Sequence, residues 1–263
     1  MLPDLGSVGP FTFHSFGLLV AAGIVVAAMF LAIDLRQRGF EPTWAIEVAF
    51  AAGVGGFVGA RIYYLIEHWG EPGLGLLSAT GIVWYGGVAG GFLAVALWSA
   101  WRRLPLGTVA NVVAAPLAIG YAIGRIGCQL AGDGDYGDVT SLPWGMAYPD
   151  GTVPTTDIVH PTPVYETLAS LAIFFILWRM RGRLTSPWAL FGLYLVLAGI
   201  ERFLVEFVRA TPVVAGGLTA AQFISIAAIG IGTALLWRGG NRSGPARQVT
   251  GATSTSPDPT TPA

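Results

Sequence analysis

The chain has 263 residues, 54% hydrophobic and 11% charged, with a net charge of -1 and a strongly positive mean hydropathy, a composition that no ordinary soluble domain of this size tolerates on its surface. All fourteen basic residues are arginine and no basic face is offered to a nucleic acid, so that class of partner is set aside. One cysteine, Cys128, makes no internal disulfide, and three histidines without C-x-x-C or H-x-x-x-H spacing argue against a metal; no cofactor is expected.

A bilayer core of about 30 Å needs about 20 apolar residues per helix. Stretches of that kind run over 13–33, 44–66, 82–101, 107–127, 164–180, 187–208 and 217–237, which predicts an all-α membrane protein of about seven transmembrane helices. The first stretch has no arginine before it and Arg36 and Arg38 after it, unlike a signal peptide, so it reads as a retained helix. Arg102 and Arg103 follow the third stretch, Arg179, Arg181 and Arg183 the fifth, and Arg238, Arg242 and Arg247 the seventh. Cytoplasmic connections collect arginine, so the amino terminus is expected outside and the carboxyl terminus in the cytoplasm. The connection from Cys128 to Pro163 then lies outside, and its prolines and its aromatics Trp144 and Tyr148 predict an ordered outer loop. From Gly239 onward Gly, Ser, Thr and Pro without apolar periodicity predict a disordered cytoplasmic tail, 239–263, behind a membrane domain spanning 1–238.

Arg61, Arg125, Arg202 and Arg209 break the positive-inside pattern, each lying near the end of a helix that runs outward. The plain reading is a snorkelling residue or a helix-to-helix ion pair, but four at one level of the membrane point to function. Arg202, Glu206 and Arg209, spaced i, i+4, i+7, are expected to share one helical face, with Glu206 steadying one guanidinium while another meets a ligand. An arginine fork matches phosphate, which makes a phospholipid headgroup the first ligand to consider and the site outward-facing. His14, Phe16, Tyr63, Tyr64, Glu67, His68, Trp84, Tyr85, His160, Tyr165 and Glu166 fall at the same level, where aromatics are commonly belt residues. The spacings Gly55 to Gly59 and Gly86 to Gly90 are those of close helix contact, and packing is their expected role.

The segment Gly124 to Gly137, GRIGCQLAGDGDYG, resembles the signature of prolipoprotein diacylglyceryl transferases. YGGVAGG at 85–91, HPTPVYE at 160–166 and ERFLVEFVR at 201–209 resemble three further blocks of that family, in its order. The resemblance implies a seven-helix body with an outward-facing site and transfer of the diacylglyceryl group of phosphatidylglycerol to the lipobox cysteine of a preprolipoprotein, in the bacterial cytoplasmic (inner) membrane. A thioether forms and glycerol phosphate leaves. By position, Arg125 and Arg202 match the family's functional arginines, and Glu206 and Arg209 the acidic and second basic positions of the last block. Tyr85 and Asp133 join Arg125, Arg202 and Glu206 as catalytic candidates; Arg61, His160, Tyr165 and Glu166 join the arginines as candidates for holding phosphatidylglycerol. The partners implied are that lipid, the signal peptides with their lipobox cysteine, and membrane lipids.

Attack on the glyceryl carbon requires a thiolate and a stabilised phosphate leaving group, the latter a task for fixed arginines. The thiol, with a pKa near 8.5, needs a base or a positive field, and Asp133, Asp135, His14 and Glu166 are candidates between which the sequence does not choose. The chain departs from the common pattern at Cys128, where asparagine is usual, at Tyr85, where histidine is usual, at Phe16, where tyrosine is usual, and in a signature one residue longer around Gly134. Tyrosine is a weak base substitute at neutral pH. Cys128 reads as a small packing residue before a covalent relay. The rival readings are a phospholipid-dependent transferase with another acceptor, a lipid or anion transporter, and a structural scaffold; a transporter would be expected to show internal repeats and charges near mid-membrane.

Overall fold

The computed structural model describes residues 1–9, 11–69 and 84–240. A short hairpin, β1 (Asp4–Val8) against β2 (Phe11–His14), leads into α1 (Ser15–Gln37). Then follow α2 (Trp44–Glu67), α3 (Trp84–Trp101), α4 (Leu106–Ala131), the hairpin β3 (Met146–Tyr148) with β4 (Thr155–Val159), α5 (Thr162–Met180), α6 (Ala189–Val205), a 3-10 turn over Glu206–Val208, the small hairpin β5 (Val213–Ala215) with β6 (Leu218–Thr219), and α7 (Ala220–Gly240). Apart from these three two-stranded hairpins the extended regular elements among the described residues are helices, as an apolar chain in lipid needs to satisfy its own backbone.

Each expected stretch coincides with a helix among the described residues, but five of the helices, α1, α2, α4, α5 and α7, are long and apolar enough to cross a bilayer. α6 has 17 residues because its backbone tightens after Val205 instead of continuing to 208, and α3 is described over 18 residues, a rise of about 27 Å. The beginning expected for the third stretch, 82–83, and all of the expected tail beyond Gly240 lie outside the described residues.

Lipid gives helices no hydrophobic reason to associate, so close packing must come from small residues. The α2–α3 pair meets through glycine on glycine: a Cβ on Gly59 would stand 2.7 Å from the Gly90 Cα, and one on Gly55 2.8 Å from the Gly90 carbonyl oxygen. The packing role expected for these glycines is the one they have. α6 and α7 use the same device, a Cβ on Gly192 falling 2.8 Å from the Gly232 oxygen, as do α1 and α4 at Gly23, 2.9 Å from the Gly120 oxygen. α4 is central. Its Ala114, Ala115, Ala118 and Ile119 form a core with Ile173, Phe174 and Leu177 of α5 and Leu190 of α6, and its Pro116 is buried as well.

The two ends of the bundle are chemically distinct. At one end Arg181 stacks 3.5 Å over Trp178 and reaches Asp34 and Gln37, Arg38 bonds Asp34 at 3.0 Å, and Arg102 pairs with Glu47. Asn111 ties the same end together, its amide donating to the Leu184 and Ser186 carbonyls and its oxygen accepting from Leu190 and Phe191 N–H. At the other end α4 stops at Gly132, whose φ of 58° is a left-handed cap favouring glycine. The segment that follows is ordered: β3 and β4 pair, Tyr136 stacks on Tyr148 at 5.0 Å, and Thr152 N–H bonds the Ala131 carbonyl at 2.9 Å. The amino-terminal residues close this end through Leu2 N–H on the Leu130 carbonyl.

Candidate functional site

The polar residues of the second end come from four consecutive parts of the chain. Arg125 lies in the last two turns of α4, and Asp133 and Asp135 in the loop just beyond it. Glu166 lies in the second turn of α5, a helix started by Pro163 in a position where the missing proline N–H costs nothing. Arg202 is in the last turn of α6, Glu206 opens the 3-10 turn and Arg209 follows it.

Glu166, only 1% exposed, is the hub. Its Oε2 pairs with Arg125 Nη2 and stands 3.7 Å from Arg209 Nη1; its Oε1 accepts from Arg202 Nη1 at 3.2 Å and from the Tyr121 hydroxyl at 3.3 Å. Arg202 Nη2 turns to Glu206 Oε2 at 2.8 Å, and Glu206 Oε1 accepts from the Thr211 hydroxyl at 2.6 Å. Asp135 bridges the remaining pair, Oδ1 accepting from Arg209 Nη2 at 2.6 Å and Oδ2 from Arg125 Nη1. Burial alone would raise the Asp135 carboxyl, but Arg125 and Arg209 hold it down at about 2. Burial pushes the neighbouring Asp133 carboxyl up, against a hydrogen bond with Cys128.

Three guanidiniums thus gather on three carboxylates, and yet they are not saturated. Arg125 Nε and Arg209 Nε are buried with no hydrogen-bond partner among the described residues. Unpaired donors on a fixed guanidinium are what an incoming anion's oxygens would meet.

Arg209 reaches this cluster by a route that helical spacing does not give. The chain leaves the helix after Val208, Arg209 takes an extended backbone (φ -93°, ψ 140°), and it pairs with Gly137 as an isolated β-bridge. The shared i, i+4, i+7 face therefore holds for Arg202 and Glu206 and fails for Arg209, because the 3-10 turn rotates the chain before position 209. Gly137 is required there: a Cβ would run into the Val208 carbonyl and stand 3.0 Å from the His160 Cβ.

Other expected residues fall in different places. Arg61 is 2% exposed on α2 with its guanidinium 5.1 Å from the Tyr64 ring. Tyr85 is the second residue of α3, and its side chain lies outside the described residues. His14 is exposed and its Nδ1 lies 2.7 Å from Asp4 Oδ1. His160 borders the cluster through its backbone, its carbonyl accepting from Gly137 at 2.8 Å and its N–H donating to Asp138 at 3.0 Å. Its ring Nδ1 is 3.3 Å from the Tyr165 hydroxyl, which also accepts from Trp144 Nε1 at 2.8 Å, a contact that ties the loop to α5.

Several contributors carried no signal of their own in the sequence. Tyr121 and Ser170 stand one turn from Arg125 and Glu166, a spacing from which they could have been found; Ser170 donates to Glu201, 3.0 Å from either carboxylate oxygen. Thr162 donates to the Asp135 carbonyl. Cys128 is buried, with Arg125 Nη1 at 3.4 Å from its sulfur. Cys128, Asp133 and Asp135 bring possible ligand atoms within 4.8 Å of one another, but the guanidiniums already on Asp135 and the one beside Cys128 oppose a dication there.

Residues 3–238 match the family model described as prolipoprotein diacylglyceryl transferase. The chain is 30% identical over 241 residues to the phosphatidylglycerol–prolipoprotein diacylglyceryl transferase of Clostridium tetani, covering 88% of this chain and 95% of that relative. It is 32% identical over 243 residues to the protein of that name from Thermosynechococcus vestitus (88% and 90%), and 29% identical over 251 residues to that from Nostoc sp. (89% and 88%).

Proposed function

Because the chain belongs to the prolipoprotein diacylglyceryl transferase family, we propose that it transfers the diacylglyceryl group of phosphatidylglycerol to the lipobox cysteine thiol of preprolipoproteins, forming a thioether and releasing glycerol phosphate. It is a multi-pass membrane protein, and its place is the bacterial cytoplasmic (inner) membrane, with the arginine-rich end of the bundle and the tail 239–263 in the cytoplasm. Residues 1–238 form the transferase domain, and the site with its loop 128–163 opens outward.

The observation that carries this reading is the gathering of Arg125, Arg202 and Arg209 on Glu166 and Asp135, with Nε donors of Arg125 and Arg209 left over. Arg125 and Arg209 hold the phosphate of the bound lipid; Arg202, fixed by Glu206, supports the charge that grows on the phosphate as the carbon–oxygen bond breaks. Glu166 sets the arginines in register. His160 and Tyr165 line the rim where the headgroup glycerol lies, and Arg61, Tyr85 and Asp133 complete the candidate set. A displacement at carbon with no redox step calls for no metal or organic cofactor. The transporter and changed-acceptor readings are not favoured by the relatives compared, which carry the transferase name.

The test is transfer of labelled diacylglycerol from phosphatidylglycerol vesicles to a lipobox peptide by the purified protein, with a cysteine-to-serine peptide as control. Label on the cysteine peptide alone is expected. Phosphatidylglycerol binding without transfer would reject the acceptor, and a reporter-fusion topology with the carboxyl terminus outside would reject the orientation.

A further inference from the structure

Asp135 holds a position that a substrate would be expected to claim. Its two carboxylate oxygens bridge Arg125 and Arg209 in the way the two charged oxygens of a phosphodiester would bridge them. A carboxylate has only those two oxygens, and it leaves Nε of both arginines without an acceptor among the described residues, whereas a phosphodiester brings two further oxygens. Asp135 is also the most accessible carboxylate of the cluster, its side chain 33% accessible against 1% for Glu166 and Glu206, and it shares that accessibility with Arg202 at 32%. Of the three carboxylates it is the one a ligand can reach.

The backbone around Asp135 is held. Thr162 bonds its carbonyl, Gly137 N–H bonds the His160 carbonyl at 2.8 Å, and Asp138 N–H bonds the Val208 carbonyl at 2.9 Å. When the guanidiniums are taken over, the side chain can turn but the residue stays beside the arginines. The other candidates for the base are engaged: Glu166 by its contacts with Arg125, Arg202, Arg209 and Tyr121, His14 by Asp4, and Asp133 by Cys128 and by the Asp135 N–H at 3.3 Å.

We propose that Asp135 is a base switched on by substrate: the phosphate of phosphatidylglycerol displaces its carboxylate from Arg125 and Arg209, and the freed carboxylate takes the proton of the incoming thiol. The inference rests on the proposed transferase activity. The S–H proton passes to the Asp135 carboxylate, and the sulfur electron pair forms the bond to the glyceryl carbon. The bond from that carbon to the phosphate oxygen breaks, its electron pair staying with the oxygen. Asp135 then gives the proton to that phosphate, which leaves as glycerol phosphate, and the carboxylate returns to the two arginines. While no lipid is bound, the arginines keep Asp135 a poor proton acceptor, so a thiol that arrives early is not ionised.

The experiment compares wild type, Asp135→Asn and Asp133→Asn, as full-length protein in nanodiscs, by phosphatidylglycerol binding and by peptide transfer. Asparagine at 135 no longer competes with phosphate but cannot accept a proton. Asp135→Asn is thus expected to bind the lipid about tenfold more tightly and to turn over about a hundredfold more slowly, with the acid limb of its kcat–pH profile lost. A structural role alone would weaken binding. Unchanged or weaker binding by Asp135→Asn, or loss of the acid limb in Asp133→Asn instead, would overturn the proposal. If Asp135→Asn does not fold, Thr162→Val, which loosens the hold on the loop and keeps the carboxylate, is expected to tighten lipid binding severalfold, and weaker or unchanged binding would overturn it. Should wild type bind the lipid and transfer nothing, the transferase reading and the base fail together, while the affinity comparison still decides the exchange of anions.

Discussion

Arg202 and Glu166 are joined across α6 and α5, Nη1 donating to Oε1 at 3.2 Å, so that the two helices share one electrostatic contact at the site end of the bundle. Glu166 also touches Arg125 and Arg209, and it is buried. Removing one member of a buried charge group leaves the others uncompensated, at a cost of about 3–5 kcal/mol. Glu166→Ala is therefore expected to lower the thermal midpoint as well as abolish transfer. An unchanged midpoint would mean that water already compensates the arginines.

Arg125→Ala and Arg202→Ala are expected to abolish transfer, by a factor of at least about a hundred, while the protein stays folded. Lysine at either position is expected to rescue little, since a point charge does not reproduce two directed N–H bonds. Circular dichroism and peptide transfer on the same preparations check both parts. Normal activity in both alanine variants would refute the phosphate clamp.

The Asp135 ion pairs give stability a defined acid dependence. Its carboxyl is held at about 2, below an ordinary 3.8, so the stabilisation is full above about pH 4 and is lost as pH falls through about 2. In the absence of lipid, wild type is expected to melt higher than Asp135→Asn near neutrality, with the gap closing as pH approaches 2. A gap that persists to pH 2, or closes well above 4, would show that the arginines do not depress this carboxyl.

Gly90→Val places a side chain where the backbone of α2 already stands, 2.7 Å from the Gly59 Cα. The helix pair must separate, and overpacking of this kind costs about 1–3 kcal/mol or more. Lower yield and a lower melting temperature are expected, with any residual folded protein losing transfer. A variant as stable as wild type would show that α2 and α3 can slide apart freely.

Asn111→Leu removes four hydrogen bonds at the arginine-rich end, two to backbone carbonyls and two from backbone N–H groups, at a position 2% exposed. Each orphaned group costs about 1–3 kcal/mol. A fall in the melting temperature is expected with the Km for phosphatidylglycerol unchanged, because the site lies at the other end of α4. A rise in Km without loss of stability would contradict this separation.

The membrane helices were legible because apolar length is a property of the local chain, and α1, α2, α4, α5 and α7 sit within a few residues of the stretches expected. Arg125, Arg202 and Glu206 were legible for a related reason, since charge is conspicuous against an apolar background. What the sequence did not disclose depends on where the chain turns. Arg209 joins the cluster only because a 3-10 turn ends α6, and Asp135 comes forward over its neighbours because the left-handed Gly132 and Gly134 aim the loop back at Arg125. Helical spacing from Arg125 and Glu166 points to Tyr121 and Ser170, yet neither was singled out, because neither residue type draws notice in a membrane helix. Asn111 was missed because a lone amide in an apolar helix shows nothing of the four backbone partners that await it.

The ion pairs of the site close upon themselves, Arg125, Arg202 and Arg209 against Asp135, Glu166 and Glu206. Such a group has little monopole, and its field falls away over roughly its own width, about the Debye length of physiological saline. An anionic lipid is then not drawn in from a distance; it is recognised on contact, after lateral diffusion has brought it to the rim. Ionic strength should accordingly have little hold on the rate of lipid capture, in contrast to enzymes that steer their substrates with an open surface charge.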